Sequence, residues 1–495
     1  MPDPIVIIQH KEPSSNSSTT TTASDDPAST PSSSSSDSSY SSQSNFSDKI
    51  KNYNKVKRQG SQSSLMVTRH QKNSRHGKAR EQDAGGDGMF SSNWLQHKKH
   101  FIILSSAGKP IWSRYGDESR ISSFTGVIQA IISFFQDSDD TIKSINAGDY
   151  KFVFLLKEPL YFVAISKTGE SDTQLKDQLV YLHNQILSVL TSSQLTRIFE
   201  QRVNFDLRRL LGGTEVFLDS LSTSFNNDHS FMLGALQVLR LDRSTRDSAG
   251  QILSKGNIKD LLYAMIIAKD KLVTLLRPRK HSLHPSDLHL LFNMLTGSTT
   301  FHTAESWTPL CLPKFNSTGF LHAYICYIDT DVSVVMISTS KDTFFELSDR
   351  KERLVKDLTS QGVLQTIQKT STRLYTIADT GIPKLLHFMY KSKQHIQFTC
   401  PDHTGIYADD SNRKRLYRLY QCVYDRMHSR SRPLKLYYHH SDKEMILGWI
   451  TSTFELYVVF GPGTPKPVII SHSNRLLRWI KKHEDNLFIL HSPVF

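Results

Sequence analysis

The stretch KKHFIILSSAGKPIWSRYGDESRISSFTGVIQAIISFF, Lys98 to Phe135, decides the fold. It admits two readings, a phosphate-cradling loop around Gly108-Lys109 or the first hairpin of a folded domain. A phosphate loop needs G-x-x-x-x-G-K-[ST], with a hydroxyl after the lysine to hold magnesium. Here Ile103 occupies the first glycine position and Pro110 follows Lys109. Proline also lacks the amide hydrogen such a loop donates. The hairpin reading fits. Phe101 to Leu104 is a short apolar run, Ser105 to Pro110 is rich in turn formers, and Ile111 to Tyr115 resumes as a strand. Ile121, Phe124, Ile128, Ile131, Ile132 and Phe135 then recur at helical spacing.

Downstream, three strands are expected at Ile142–Ala147, Tyr150–Leu156 and Leu160–Ser166, with turns at Gly148-Asp149 and Glu158-Pro159. Short turns make them an antiparallel meander. Helices follow over Asp172–Leu190 and Ser193–Phe205. A five-stranded sheet with a helix on either face closes one core. The layout recurs. FMLGALQVLRL from Phe231 reads as a strand, and Lys259–Ala268 and Lys271–Arg277 as a pair about Lys269-Asp270. Pro285–Leu295 is a helix capped by His284 or Ser286, LHAYICYID and VSVVMIST are strands, and Phe344–Ile367 is the closing helix. A third unit runs from Ile382 through the helix RKRLYRLYQCVYDRM to SNRLLRWIKKHE, its acidic ADDSN (Ala408–Asn412) serving as helix cap. The expected units span 98–210, 228–370 and 380–495. The class is α/β in the α+β sense, each unit a mostly antiparallel five-stranded sheet between helices.

Upstream, residues 1–92 are low in complexity, with runs such as SSNSSTTTTAS that cannot bury enough apolar surface to fold. This tail is expected to be disordered and regulatory. Each serine phosphorylated there would add roughly −1.5 to −2 charges. Lys49 to Arg80 holds ten Lys or Arg and no acid, much of the chain's net +13. It reads as an arm for an acidic membrane or protein face, or as a solvated linker. With no aromatic platform or motif beside it, no nucleic-acid partner is expected.

The 495 residues are 38% hydrophobic, a low value set mainly by the tail. No apolar run is long enough to span a bilayer, and MPDPIVIIQHK lacks the basic start of a signal peptide. Cys311, Cys326, Cys400 and Cys422 are far apart, which suits a reducing compartment with buried thiols. There is no H-E-x-x-H, no G-x-S-x-G and no zinc spacing, so neither covalent catalysis, metal nor cofactor is expected. His439 and His440 would point to opposite faces of a strand.

KKHFIILSSAGKPIWSRYG, LLYAMIIAKDKLVTLLRPRKHSLHPSDLHLLFNML, WTPLCLPKFNSTGFLHAYICYID and KDTFFELSDRKE resemble the Mon-one/SAND family of vacuolar fusion proteins. The likeness runs from Trp94 to Phe495. It implies three longin domains in tandem, in agreement with the strand and helix order. It also implies a heterodimer with a Ccz-one-type protein that exchanges guanine nucleotide on a Rab-seven-type GTPase. The setting implied is cytoplasmic and peripheral, on late endosomes or multivesicular bodies, vacuole or lysosome, and autophagosomes. Membranes would be met through basic surfaces and phosphoinositides. A longin scaffold or tether without exchange activity is the alternative.

Exchange needs only better binding to the nucleotide-free GTPase; a 10⁴-fold shift takes about 5.5 kcal/mol of differential binding. The candidate residues are therefore surface residues. Trp112 and Arg114 share one face of the second strand and suit an interface, unless the protein's own helix covers Trp112. Longin domains pair through the first helix, which nominates Ser122, Thr125, Gln129 and Ser133, with Gly126 as a possible close-packing position. Arg277, Arg279, Lys280 and His281 form a basic turn suited to lipid phosphate. Arg413, Lys414, Arg415 and Arg418 crowd a helix start, where cations oppose the helix dipole and call for an acidic membrane or partner. Arg475, Arg478, Lys481 and Lys482 share a face of the last helix.

Overall fold

The computed structural model describes residues 94, 96–116, 121–202, 205–256, 258–302 and 304–494. The serine-rich tail and the Lys49–Arg80 segment lie outside the described residues.

The first domain comprises β1 (Lys99–Ser105), β2 (Pro110–Ser113), α1 (Ser122–Gln136), β3 (Ser144–Ala147), β4 (Tyr150–Lys157), β5 (Leu160–Ser166), α2 (Asp172–Val189) and α3 (Ser192–Gln201). Its sheet order is β2-β1-β5-β4-β3, antiparallel throughout. The run FIIL is continuously apolar because both faces of β1 are covered. Ile102 and Leu104 pack with Ile121, Ile128 and Ile132 on the α1 side, while Phe101 and Ile103 join Leu175, Leu179 and Leu182 of α2 on the other. Gly108 turns the hairpin with φ +78°. Its N–H bonds to Ser105 O at 2.9 Å and that of Lys109 to Ser105 Oγ at 3.2 Å, so these amides face the turn and cradle no anion. A Cβ on Gly108 would also lie 3.1 Å from Gln129 Cβ. Ser171 caps α2 in a reciprocal box with Gln174.

A linker follows with α4 (Arg208–Leu211), α5 (Glu215–Ser224), α6 (His229–Leu233) and β6 (Leu236–Gln237). Here the strand expected at FMLGALQVLRL fails. Its first part is the helix α6, stopped at Gly234 with φ +56°. Only Leu236-Gln237 is extended, and it pairs in parallel with the third sheet, while Val238 bridges to Leu272 of the second. The linker therefore staples two sheets together.

The second domain holds α7 (Arg243–Ser254), β7 (Leu261–Ala268), β8 (Lys271–Leu276), α8 (Pro285–Gly297), β9 (Ser306–Leu312), β10 (Asn316–Tyr327), β11 (Val332–Ser338), α9 (Phe344–Ser360) and α10 (Val363–Thr372). Its order, β8-β7-β11-β10-β9, repeats that of the first sheet. The fifth strand is β9, which Pro309 disguised; β9 is an edge strand, where proline is tolerated. The closing helix expected over Phe344–Ile367 is broken in two at Gly362, φ +69°. His284 caps α8 by accepting from Ser286 N.

The third domain is β12 (Leu385–Ser392), β13 (Gln397–Thr399), α11 (Asp410–Met427), β14 (Leu436–His440), β15 (Met445–Ile450), β16 (Phe454–Phe460), α12 (Lys466–Lys482) and α13 (Glu484–Leu487). Its order, β14-β15-β16-β12-β13-β6, is the same five-strand pattern with β6 added, so this sheet has six strands rather than five. Asp409, within the expected acidic cap, accepts from Asn412 N at the start of α11.

The domains share buried surface. Leu218, Leu221, Phe225 and Leu290 complete the first core. Tyr181 of α2 meets His289 Nδ1 of α8 at 2.9 Å, and Gln174 of α2 donates to Gln421 O of α11 at 3.0 Å. Arg246, 4% exposed, donates to Val273 O, Leu239 O and Asn486 O, tying α7 to β8, the linker and the C-terminal segment. Burial lowers its guanidinium to about 10. Of the four thiols expected to be buried, Cys311 and Cys326 are, Cys400 is partly covered and Cys422 is exposed on α11.

Candidate interaction surfaces

The helix α1 lies on one face of the first sheet, with Ile128 and Ile132 turned inward. Its outer side carries Val127 and Phe134, 42% and 66% exposed, with Ala130 exposed between them. Apolar side chains thus extend beyond the inward stripe, more than packing on the sheet requires. Ser122 is exposed and borders this side; Gln129 and Ser133 are half-buried and hydrogen-bonded to each other at 3.3 Å. Thr125 does not belong with them. It is fully buried, and its hydroxyl donates to Ser122 O at 2.9 Å. Nothing lies within 4 Å of a Cβ built on Gly126, so close packing does not explain that glycine.

Trp112 is likewise withdrawn from the surface. At 1% exposure it sits in the core under α2, because its side of β2 faces inward with Ile103 of β1. Arg114 is committed within the chain, 3.2 Å from Asp219 Oδ1 and donating to Thr223 Oγ1 at 2.8 Å, both on α5. The aromatic-Arg pair holds the first domain to the linker. Val127 and Phe134 were missed because they fall outside the periodic stripe; two apolar residues seven apart on its far side were the signal available.

The basic turn divides. Arg279, Lys280 and His281 are exposed. Arg277 is half-buried, and its backbone pairs with the C-terminal segment, its N–H on Pro493 O at 3.3 Å. The cations at the start of α11 find their compensation at home. Arg413 and Lys414 pair with Asp410, each at 2.7 Å, and Arg415 pairs with the buried Glu444, which also accepts from Tyr407. The helix-dipole cost is met by the chain's own carboxylates, so no outside acid is needed to explain these three. Arg418 is exposed. On α12, Arg475, Arg478, Lys481 and Lys482 are exposed, and Lys481 pairs with Glu484.

Near Arg418 lies a buried polar network. Lys99 Nζ contacts both oxygens of Glu170 at 3.0 Å and Gln178 Oε1 at 3.1 Å. Glu170 also accepts from Thr168, Gln178 and, across the domain boundary, Gln421 of α11. Burial works to raise the Glu170 carboxyl, but Lys99, Thr168 and Gln178 hold it below the usual range. Among the described residues no group of three or more His, Cys, Asp or Glu is placed to hold a metal, and no helix is long and apolar enough to cross a membrane.

Profiles of the first, second and third longin domains of FUZ, MON1 and HPS1 match residues 99–221, 259–356 and 384–484. The chain is 43% identical over 400 residues to vacuolar fusion protein MON1 homolog A of Gallus gallus, covering 80% of this chain and 73% of that protein. It is 41% identical over 409 residues to Protein SAND of Takifugu rubripes, covering 82% and 78%. It is 42% identical over 403 residues to vacuolar fusion protein MON1 of Cryptococcus neoformans, covering 80% and 65%.

Proposed function

The chain belongs to the MON1, or Mon-one/SAND, family of three-longin-domain proteins, and from that premise we propose that it acts in vacuolar fusion as one subunit of a guanine-nucleotide exchange factor. Its partner is a Ccz-one-type longin protein and its substrate a Rab-seven-type GTPase. The observation that supports this reading is the exposed apolar side of α1, Val127 and Phe134, on the first domain. An exchange factor works by binding the open GTPase better than the loaded one, which calls for an interface and no covalent chemistry. Arg279 and Lys280 on the second domain supply exposed cations for anionic lipid. The place of action is the cytoplasmic face of late endosomes, vacuole or lysosome, and autophagosomes.

The test is release of fluorescent GDP from the GTPase on anionic liposomes, with this chain alone, with the partner alone and with both. Acceleration only with both is the expected result. Binding of a folded, lipid-bound complex without acceleration would instead make the chain a tether.

A further inference from the structure

An open sheet edge is a template for another strand, and folded proteins blunt their edges with proline, charge, shortness or cover. Most edges here are blunted in one of these ways. β2 starts with Pro110 and β9 contains Pro309. β8 is met by the linker at Leu272 and by the C-terminal segment at Arg277. β3 and β6 run only four and two residues. β14 has none of these devices. Its sequence LYYHH holds no proline, lysine or acid, and it forms the outer end of the third sheet.

The register shows which of its groups face outward. Ile450 N donates to Lys435 O at 2.7 Å, and Ser441 N to Glu444 O at 2.9 Å. Alternation then gives Tyr437 and His439 the bonds to β15, and turns the N–H and C=O of Leu436, Tyr438 and His440 away from it. Among the described residues no hydrogen bond reaches those outward groups.

Cations flank the edge on both faces. Tyr438 packs on the α12 side, with Lys466 Nζ 5.0 Å from its ring centre. Tyr437 packs on the α11 side, with Arg426 Cζ 5.9 Å from its ring centre. Lys435 and Lys443 are exposed at the two ends of the strand, beside Asp442. Lys466 opens α12, whose first turn holds neither an acid nor a side-chain cap, so it adds to the positive end of the helix dipole. A strand laid along β14 would set side chains about 4.5–5.5 Å from Tyr437 and Tyr438, within reach of Arg426 and Lys466. A second copy of β14 would bring these same cations together, which like charge disfavours.

We propose that β14 receives an extended acidic segment of another protein, which joins the third sheet as an added strand. Its backbone pairs with Leu436, Tyr438 and His440, and its carboxylates meet Arg426 and Lys466 on the two faces. Main-chain bonds supply affinity in this mode and the flanking side chains supply choice.

The test is fluorescence anisotropy of a labelled Thr-Val-Glu-Glu-Val-Thr peptide with the full chain, beside the same peptide N-methylated at both glutamates. Adjacent amides face opposite ways along a strand, so one methyl always falls on the pairing side. Saturable binding of the plain peptide is expected, weakened at least about tenfold by methylation. Tyr438→Pro should weaken it as well, since proline there deletes only an outward N–H, and urea unfolding checks that the fold is kept. Lys435→Glu with Lys466→Glu should also weaken binding. Lys176→Glu with Lys356→Glu, the same charge change at exposed sites on α2 and α9, should leave it unchanged. Equal binding of the methylated peptide, or equal loss with the Lys176 and Lys356 changes, would overturn the proposal, and both comparisons hold even if Tyr438→Pro unfolds the domain. So would a dimer of the chain in sedimentation that Tyr438→Pro abolishes, since a second copy would then be the occupant.

Discussion

Glu170→Gln removes one charge from the most enclosed ion pair among the described residues, a pair within the first domain that Gln421 of the third domain also contacts. The Lys99 and Glu170 side chains are 5% and 3% exposed. Every neighbour of the carboxylate is a donor: Lys99 on both oxygens at 3.0 Å, Gln178 and Thr168 at 2.6 Å each, and Gln421 at 3.2 Å. Glutamine must place its own N–H₂ against at least one of these donors, and it leaves the Lys99 ammonium buried without a counter-charge. Removing one member of a buried pair costs about 3–5 kcal/mol. The pair itself contributes far less, because desolvation offsets most of its attraction. Lys99→Met with Glu170→Leu should therefore recover much of the loss. Urea unfolding of the full chain, followed by tryptophan fluorescence, measures the first transition of the parent, of Glu170→Gln and of the double variant. A loss below about 1 kcal/mol for Glu170→Gln, or a double variant no better than the single, would refute the reasoning.

Val127→Asp with Phe134→Asp should leave unfolding within about 0.5 kcal/mol of the parent, since both are exposed, while lowering GDP release by the assembled complex at least about tenfold; GDP release at the parent rate would remove α1 from the exchange interface. Arg279→Glu with Lys280→Glu should reduce retention on anionic liposomes, and the effect should fade as salt screens it. Arg415→Ala should instead lower stability by about 3 kcal/mol, because it strands the buried Glu444, and lipid flotation alongside unfolding separates the two. Acid should weaken the fold. His100 and His229 are held by burial to about 3 in the folded chain, against 6.5. Their contribution is complete above pH 6.5 and falls as the unfolded state takes up protons, by about 2 kcal/mol each at pH 5. Glu170, held below its usual range, adds a further loss below about pH 4.5. Equal stability at pH 7.5 and pH 5 would contradict this.

Periodicity located most elements because strand and helix repeats survive wherever a face is buried. It failed where a local rule was overridden. Pro309 hid an edge strand, Gly362 cut a helix that apolar spacing would have carried through, and FMLGALQVLRL has the composition of a strand but starts as a helix. The candidate sites were harder to see, and for one reason. Arg114, Arg413, Lys414 and Arg415 look like free surface charge in sequence, yet Asp219, Asp410 and Glu444 answer them, two of those acids from elements far along the chain. Trp112 is buried because its side of β2 faces the core, and Thr125 because it sits four residues after Ile121 and three before Ile128, inside the buried stripe of α1.

The helix α2 runs 18 residues, about 27 Å at 1.5 Å per residue. Gln174 reaches α11, Tyr181 reaches α8, and Leu179 and Leu182 fill the first core. No domain can shed this helix without exposing part of another. Its amides should then exchange with deuterium only through opening of the whole molecule, and a load applied at the first domain would be felt at the third along one rigid rod.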